Sequence, residues 1–215
     1  MALILTVARR IVEGDGYARA GKYRGWDPLL LLGSDVHHKS LGILGFGRVG
    51  QAVAKRARGF DMRIAYHSRH RAAPEIEKAF RAAFVDLETL LRTCDFLSIH
   101  VPLTPQTNGL IDAERLSLMK PAAFVINTAR GEIIREEALV NALESQQIAG
   151  AGLDVFEDEP AIHPGLLKKN NVVILPHIGS ASMETRTEMG LIAARNLIAI
   201  FKGEVPPNCL NPEIL

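Results

Sequence analysis

The stretch LGILGFGRVGQAVAKRA, residues 41–57, restricts the fold more than any other part of the chain. An apolar run of strand character meets three glycines and passes directly into a run of helical character. In GFGRVG, Gly45 suits a tight turn after the strand, Gly47 a close approach of backbone to a pyrophosphate, and Gly50 close packing of helix on sheet. A helix beginning near Arg48 would offer its unpaired N–H groups to phosphate oxygens. Glycine-rich turns are common, but here the next apolar run, MRIAYHS, falls where a βαβ unit needs its second strand.

Further short apolar runs follow: DFLSIHV, AAFVINT, IAGAGLDV and NVVILPH. Several lack polar alternation, as expected of strands buried on both faces of a parallel sheet. Helical segments are predicted at about 48–59, 86–93, 112–118, 135–146 and 182–202, with Asp86, Asp112 and Ser182 as N-caps and Gly59 as a C-terminal stop. Apolar Leu3, Ile4, Val7, Ile11 and Val12 recur at helical spacing and predict one leading helix to about Ala20. The expected fold is a doubly wound parallel α/β sheet of the Rossmann NAD(P)-binding type with an N-terminal helical arm. The expected division is an arm over 1–40, the dinucleotide-binding domain over 41–180, and a C-terminal helix and tail over 181–215.

With 25 basic and 24 acidic residues scattered along the chain, no field favours nucleic acid or an anionic membrane, so the expected partners are small molecules or copies of the chain. Cys94 and Cys209 form neither a disulfide framework nor a metal-ligand pattern, and read as reduced thiols of a cytoplasmic protein. MALILTVARR is too short for a membrane span and carries its cations after the apolar stretch, the reverse of a signal peptide. His37, His38, His67, His70 and His163 make no HxH or HExxH pattern, so no metal site is expected.

Dinucleotide-binding domains that take NAD place a carboxylate on the ribose 2′-OH after the second strand. This chain has AYHSRHR there, with no carboxylate from Ile64 to Ala73. Ser68, Arg69 and Arg71 instead supply a hydroxyl and two guanidinium groups, which suit a 2′-phosphate. NADPH is the expected cofactor, with NAD as the alternative and a merely solvated basic turn as the competing interpretation.

Reduction of a 2-oxo acid by hydride transfer requires a proton donor at the carbonyl oxygen and a cation for the carboxylate. Arg130 follows the strand FVINTA, His177 follows VVILP, and Glu159, in DVFEDEP, could orient and polarise an imidazole. From spacing alone, Arg130 could equally be a solvated cation, Glu159 one acid of an exposed loop, and His177 a capped loop histidine.

Taken together, LGILGFGRVGQAVAKRARGFDMRIAYHSR, FLSIHVPLTPQTNGLI, MKPAAFVINTARGEIIREEAL, GAGLDVFEDEP and VVILPHIGSAS resemble the D-isomer-specific 2-hydroxyacid dehydrogenases, especially the glyoxylate and hydroxypyruvate reductase branch. The resemblance implies that Arg130 binds the substrate carboxylate, that His177 is the proton donor and that Glu159 is its partner. It further implies cofactor contacts from Arg48 and Val49, from Ser68 and Arg69, and from Pro102, Thr107, Thr128, Arg130, Asp154, His177 and Gly179. Members of that family carry a flavodoxin-like substrate domain ahead of the helix that starts here, so most of that domain is expected to be missing from these 215 residues. The leading segment corresponds to one that packs on a second subunit, and Trp26 with Leu29 to Leu32 would form an apolar patch suited to a homodimer.

The expected function is an NADPH-preferring reductase of small 2-oxo acids, glyoxylate or hydroxypyruvate, to D-2-hydroxy acids. The alternatives are a dinucleotide-sensing interaction module and a catalytically silent cofactor-domain fragment.

Overall fold

The computed structural model describes residues 1–214. They form two compact units, Met1–Pro176 and a second that begins at His177. The first unit opens with α1 (Ala2–Ala8) and α2 (Ile11–Arg19), followed by β1 (Ser40–Leu44), α3 (Arg48–Ala57), β2 (Arg63–His67), α4 (Pro74–Phe80) and β3 (Ala82–Phe84). It continues through α5 (Leu87–Thr93), β4 (Phe96–Ile99), α6 (Ala113–Ser117), β5 (Phe124–Asn127), α7 (Glu136–Glu144), β6 (Gly150–Leu153), α8 (Pro164–Leu167) and β7 (Val172–Ile174). The second unit contains α9 (Met183–Phe201).

All pairings in the sheet are parallel, in the order β3-β2-β1-β4-β5-β6-β7, so the winding reverses between β1 and β4. Every residue of β4, β5 and β6 is buried, which is why their sequences run apolar without alternation. One core cluster includes Leu90, Leu97, Leu116, Val125 and Leu139; the other includes Ile4, Leu41, Ile43, Tyr66, Phe96 and Ile126. Neighbouring strand residues such as Val125 and Ile126 fall in different clusters, as side chains that alternate between two covered faces must.

The predicted N-caps are in place: Asp86, Asp112 and Ser182 each accept a hydrogen bond from the backbone N–H three residues on. Three local expectations are corrected. The predicted leading helix breaks at Arg9 and Arg10, where Arg10 has a φ of 52° and grips Glu13 with two hydrogen bonds of 2.8 Å. α1 buries Leu3, Ile4 and Val7, whereas α2 buries nothing, so Ile11 and Val12 keep the apolar spacing but have no surface to pack on. Gly59 does not end a helix; α3 tightens into a 3-10 turn over Arg58–Phe60, and the left-handed residue is Asp61. Finally, α4, β3 and α8 were absent from the predicted elements, each being too short for its periodicity to stand out.

Parallel register brings the C-terminal ends of the strands to one edge. Leu44 lies opposite both His67 and Ile99, Ile99 opposite Asn127, Asn127 opposite Leu153, and Leu153 opposite Ile174. Chain segments that leave these residues therefore emerge side by side, and the reversal at β1 and β4 opens a crevice between them.

Candidate cofactor-binding and active site

The glycine turn meets the three backbone demands read from GFGRVG. Gly45 has a φ of 97°, and a Cβ there would lie 2.7 Å from backbone atoms of His100 and Val101. A Cβ on Gly50 would collide with the carbonyl oxygen of Gly45, so only glycine lets α3 sit this close to the strand. A Cβ on Gly47 would meet nothing within 4 Å, which leaves the backbone open to an approaching group. Gly47 is also the N-cap of α3 and supplies no side-chain cap, so the first N–H groups of that helix remain available to an anion.

Beyond the turn lies a cleft of about 600 Å³ lined by Gly45, Gly47, Ser68, Arg69, Pro102 and Thr107, together with His67, His70 and His100. Six residues predicted from separated segments thus converge. Arg48 and Val49 open α3 beside it, and both are exposed. Thr107 acts mainly on its own loop: its Oγ1 donates to the Pro102 carbonyl at 2.6 Å and accepts from the Thr104 N–H at 2.8 Å. Arg69 makes no hydrogen bond or ion pair among the described residues, and its charge is available to the cleft. Arg71 is placed differently: its Nε and Nη2 each donate to the Glu77 carboxylate at 2.9 Å, and it does not line the cleft. An open phosphate turn, free helix N–H groups and an arginine unpaired among the described residues, all in one cleft, fit a dinucleotide.

His100, one residue past β4, lines the same cleft and was missed from the sequence. The signal was present, because SIHVP ends a buried strand as surely as FVINTAR does. Its Nε2 lies 2.8 Å from Ser98 Oγ, and burial, aided by the N-terminal ammonium group, pushes its pKa down to about 4. The folded state therefore holds a neutral ring that an unfolded chain would protonate near pH 6.5. Stability from this group is complete above that pH and is lost as pH falls towards 4. Urea unfolding of the wild type and of His100→Asn, at pH 7 and pH 4.5, is expected to show about 2–3 kcal/mol less acid-induced loss in the variant.

On the other half of the edge, Asn127 is buried; its Nδ2 donates to the Arg130 carbonyl at 2.8 Å and its Oδ1 accepts from the Ala129 N–H at 3.0 Å. This clasp shapes the turn that leaves Thr128 and Arg130 exposed just past β5. Asn127 was also missed, as the polar end of an apolar strand. A Cβ on Gly131 would overlap the backbone of Phe156, so the loop carrying Arg130 packs directly on the loop carrying Glu159. The Glu159 loop is also tied to the start of α7: Glu157 N–H donates to Glu136 Oε1 at 2.7 Å, and Glu136 N–H to Glu157 Oε2 at 3.1 Å. Arg135 adds an ion pair to Glu157 at 2.8 Å, and burial pushes the Glu136 carboxyl above the usual carboxylate range.

Glu159 is exposed and its Oε1 accepts from the Phe156 N–H at 3.1 Å. Asp154 is buried at the end of β6. In the second unit, His177 is exposed with a φ of 54°, in the left-handed region that few non-glycine residues adopt, and Gly179 is exposed. Among the described residues, no cluster of His, Cys, Asp or Glu is placed to hold a metal ion.

Sheet order, glycine turn and cleft define a dinucleotide-binding domain of the Rossmann type. The chain belongs to the D-isomer specific 2-hydroxyacid dehydrogenase family, whose NAD binding domain matches residues 1–179. It is similar to the glyoxylate reductase of Thermococcus litoralis, 53% identical over 218 residues that cover 100% of this chain and 66% of that protein. Among solved structures it is similar to a protein from Thermus thermophilus, with a TM-score of 0.91 and 48% identity, covering 97% of this chain and 65% of that one. A glyoxylate reductase from Paecilomyes thermophila gives a TM-score of 0.86 and 42% identity, covering 94% of this chain and 61% of that one. The chain thus spans about two thirds, 66% at most here, of the length of these relatives.

Proposed function

We propose that this chain is the cofactor-binding part of an NADPH-preferring reductase that converts small 2-oxo acids, glyoxylate or hydroxypyruvate, to D-2-hydroxy acids. The observation that carries the reading is the shared edge: the open glycine turn, the unpaired Arg69 and the clasped loops of Arg130 and Glu159 all follow register-aligned strand ends. Half-identity to a glyoxylate reductase supports the choice of substrate class.

In this reading the dinucleotide, when bound, supplies the hydride for the substrate carbonyl. The first-turn N–H groups of α3 hold its pyrophosphate, and Ser68 and Arg69 meet its 2′-phosphate. Arg130 grips the substrate carboxylate and draws charge from the carbonyl. His177 gives a proton to the carbonyl oxygen in reduction and takes one back in oxidation, with Glu159 as its partner. Asp154, Thr128 and Gly179 are the further residues that would contact the bound dinucleotide, Asp154 as the acid near its carboxamide. We further propose a cytoplasmic homodimer joined through the arm of residues 1–40, where Trp26 is 85% and Leu29 75% exposed. No helix among the described residues is long and apolar enough to cross a membrane.

The test is oxidation of NADPH, and separately of NADH, by the 215-residue chain with glyoxylate or hydroxypyruvate. Turnover favouring NADPH is expected, and Arg69→Gln is expected to weaken NADPH binding about tenfold with little change for NADH. Equal affinities for the two cofactors would overturn the NADPH preference. Cofactor binding without turnover, even after the chain is extended to the length of its relatives, would overturn the reductase.

A further inference from the structure

The turn after β2 carries two arginines that look equivalent in the sequence SRHR, and the structure treats them differently. Arg69 lines the cleft, while Arg71 spends two of its donors on Glu77, whose side chain is only 13% exposed. Glu77 also accepts a 2.7 Å hydrogen bond from the Tyr66 hydroxyl, and that hydroxyl accepts from the Ala72 N–H at 2.8 Å. Three side chains and one backbone amide thus close the turn from Ser68 to Ala72 into a ring of hydrogen bonds. The ring of Tyr66 is fully buried and stacks at 4.1 Å on Phe46, the central residue of the glycine turn. The turn that would meet the ribose is therefore braced against the turn that would meet the pyrophosphate.

We infer that Tyr66, Arg71 and Glu77 form a latch that shapes the turn after β2 and so sets the preference for a 2′-phosphorylated dinucleotide, with Arg71 as a positioning residue and Arg69 as the group that meets the phosphate. The inference rests on the NADPH reading given above. Its physical basis is competition for one guanidinium. To reach a phosphate, Arg71 would have to abandon a two-pronged contact and leave the Glu77 carboxylate with the Tyr66 hydroxyl alone, which is unfavourable. Held by Arg71 and Tyr66, the Glu77 carboxyl stays below the usual carboxylate range and keeps its charge at neutral pH. It thereby cancels one of the two cations and leaves Arg69 to discriminate between cofactors. A loosened latch would let the turn sample other shapes and Arg69 would lose its aim, at a cost felt by the 2′-phosphate and not by the rest of the dinucleotide.

Dissociation constants for NADPH and NADH, read from nicotinamide fluorescence, test this on the wild type, Arg69→Gln, Arg71→Gln, Tyr66→Phe and the double variant Arg71→Gln with Tyr66→Phe. Tyr66→Phe removes one oxygen and keeps the buried ring, so the fold should survive, and far-UV circular dichroism checks that it does. Selectivity for NADPH is expected to fall about threefold in each latch variant and no further in the double variant, because both act through one unit. If Arg71 were itself a phosphate ligand, Arg71→Gln would lower selectivity, Tyr66→Phe would leave it alone, and the latch would be overturned. Losses that multiply in the double variant, or that fall equally on NADH, would overturn it too. Wild-type protein without any preference would overturn the NADPH reading and the latch with it, whereas a preference that Arg69→Gln removes and Tyr66→Phe preserves would overturn the latch alone.

Discussion

Replacing His177 with glutamine is expected to lower glyoxylate turnover by about 10³-fold while NADPH binding stays within about twofold of wild type. Glutamine is similar in reach and can still donate a hydrogen bond, but it cannot release a proton near neutral pH. A residue that only oriented substrate would therefore tolerate the change, and one that supplies the proton would not. Steady-state rates with glyoxylate, with fluorescence titration of NADPH alongside, separate the two effects. A loss of less than tenfold would remove His177 from the role of acid.

Gly131→Ala is expected to destabilise the first unit by about 3 kcal/mol or more, because the new methyl group would have to displace the backbone of Phe156. Backbone cannot step aside as a flexible side chain can. The displaced segment carries Glu159 on one side and is tied through Glu157 to Glu136 and Arg135 on the other. Movement there would spread to the turn holding Arg130, so turnover should fall more than NADPH binding, for which the proposed cleft lies at β1, β2 and β4. Gly59→Ala is the control: a Cβ there meets nothing within 4 Å, and its effect should stay within about 0.5 kcal/mol. Urea unfolding midpoints of the two variants make the comparison, and equal midpoints would show that the loop contact can relax without cost.

Much of the fold is legible in the sequence. Buried parallel strands announce themselves by apolar runs without alternation, and SLGIL, FLSI, FVIN and GAGL became β1, β4, β5 and β6. Asp86, Asp112 and Ser182 cap helices because a short acceptor side chain satisfies an N–H three residues away, a strictly local interaction. What failed was whatever depended on neighbours distant in the chain. Ile11 and Val12 repeat the spacing of Leu3, Ile4 and Val7, yet only the earlier residues meet the sheet. His100 and Asn127 passed as ordinary ends of strands: the sequence shows that each closes a buried strand, but only parallel register sets those ends side by side.

The strands β1, β2 and β4 to β7, the longer helices of the sheet, and the three backbone requirements of GFGRVG follow from residue chemistry within a few positions, so the chain alone specifies them. The division of labour between Arg69 and Arg71 does not. It depends on Glu77, which a turn of helix brings back against the loop, and on Tyr66, whose ring is held by Phe46 from another strand's end. Likewise Gly131 looks like any turn glycine until the backbone of Phe156 is laid against it. Local conformation is decided by contacts that every copy of a short segment would make, whereas charge availability and steric room are properties of what the fold places next to a residue, and only the packed chain contains them.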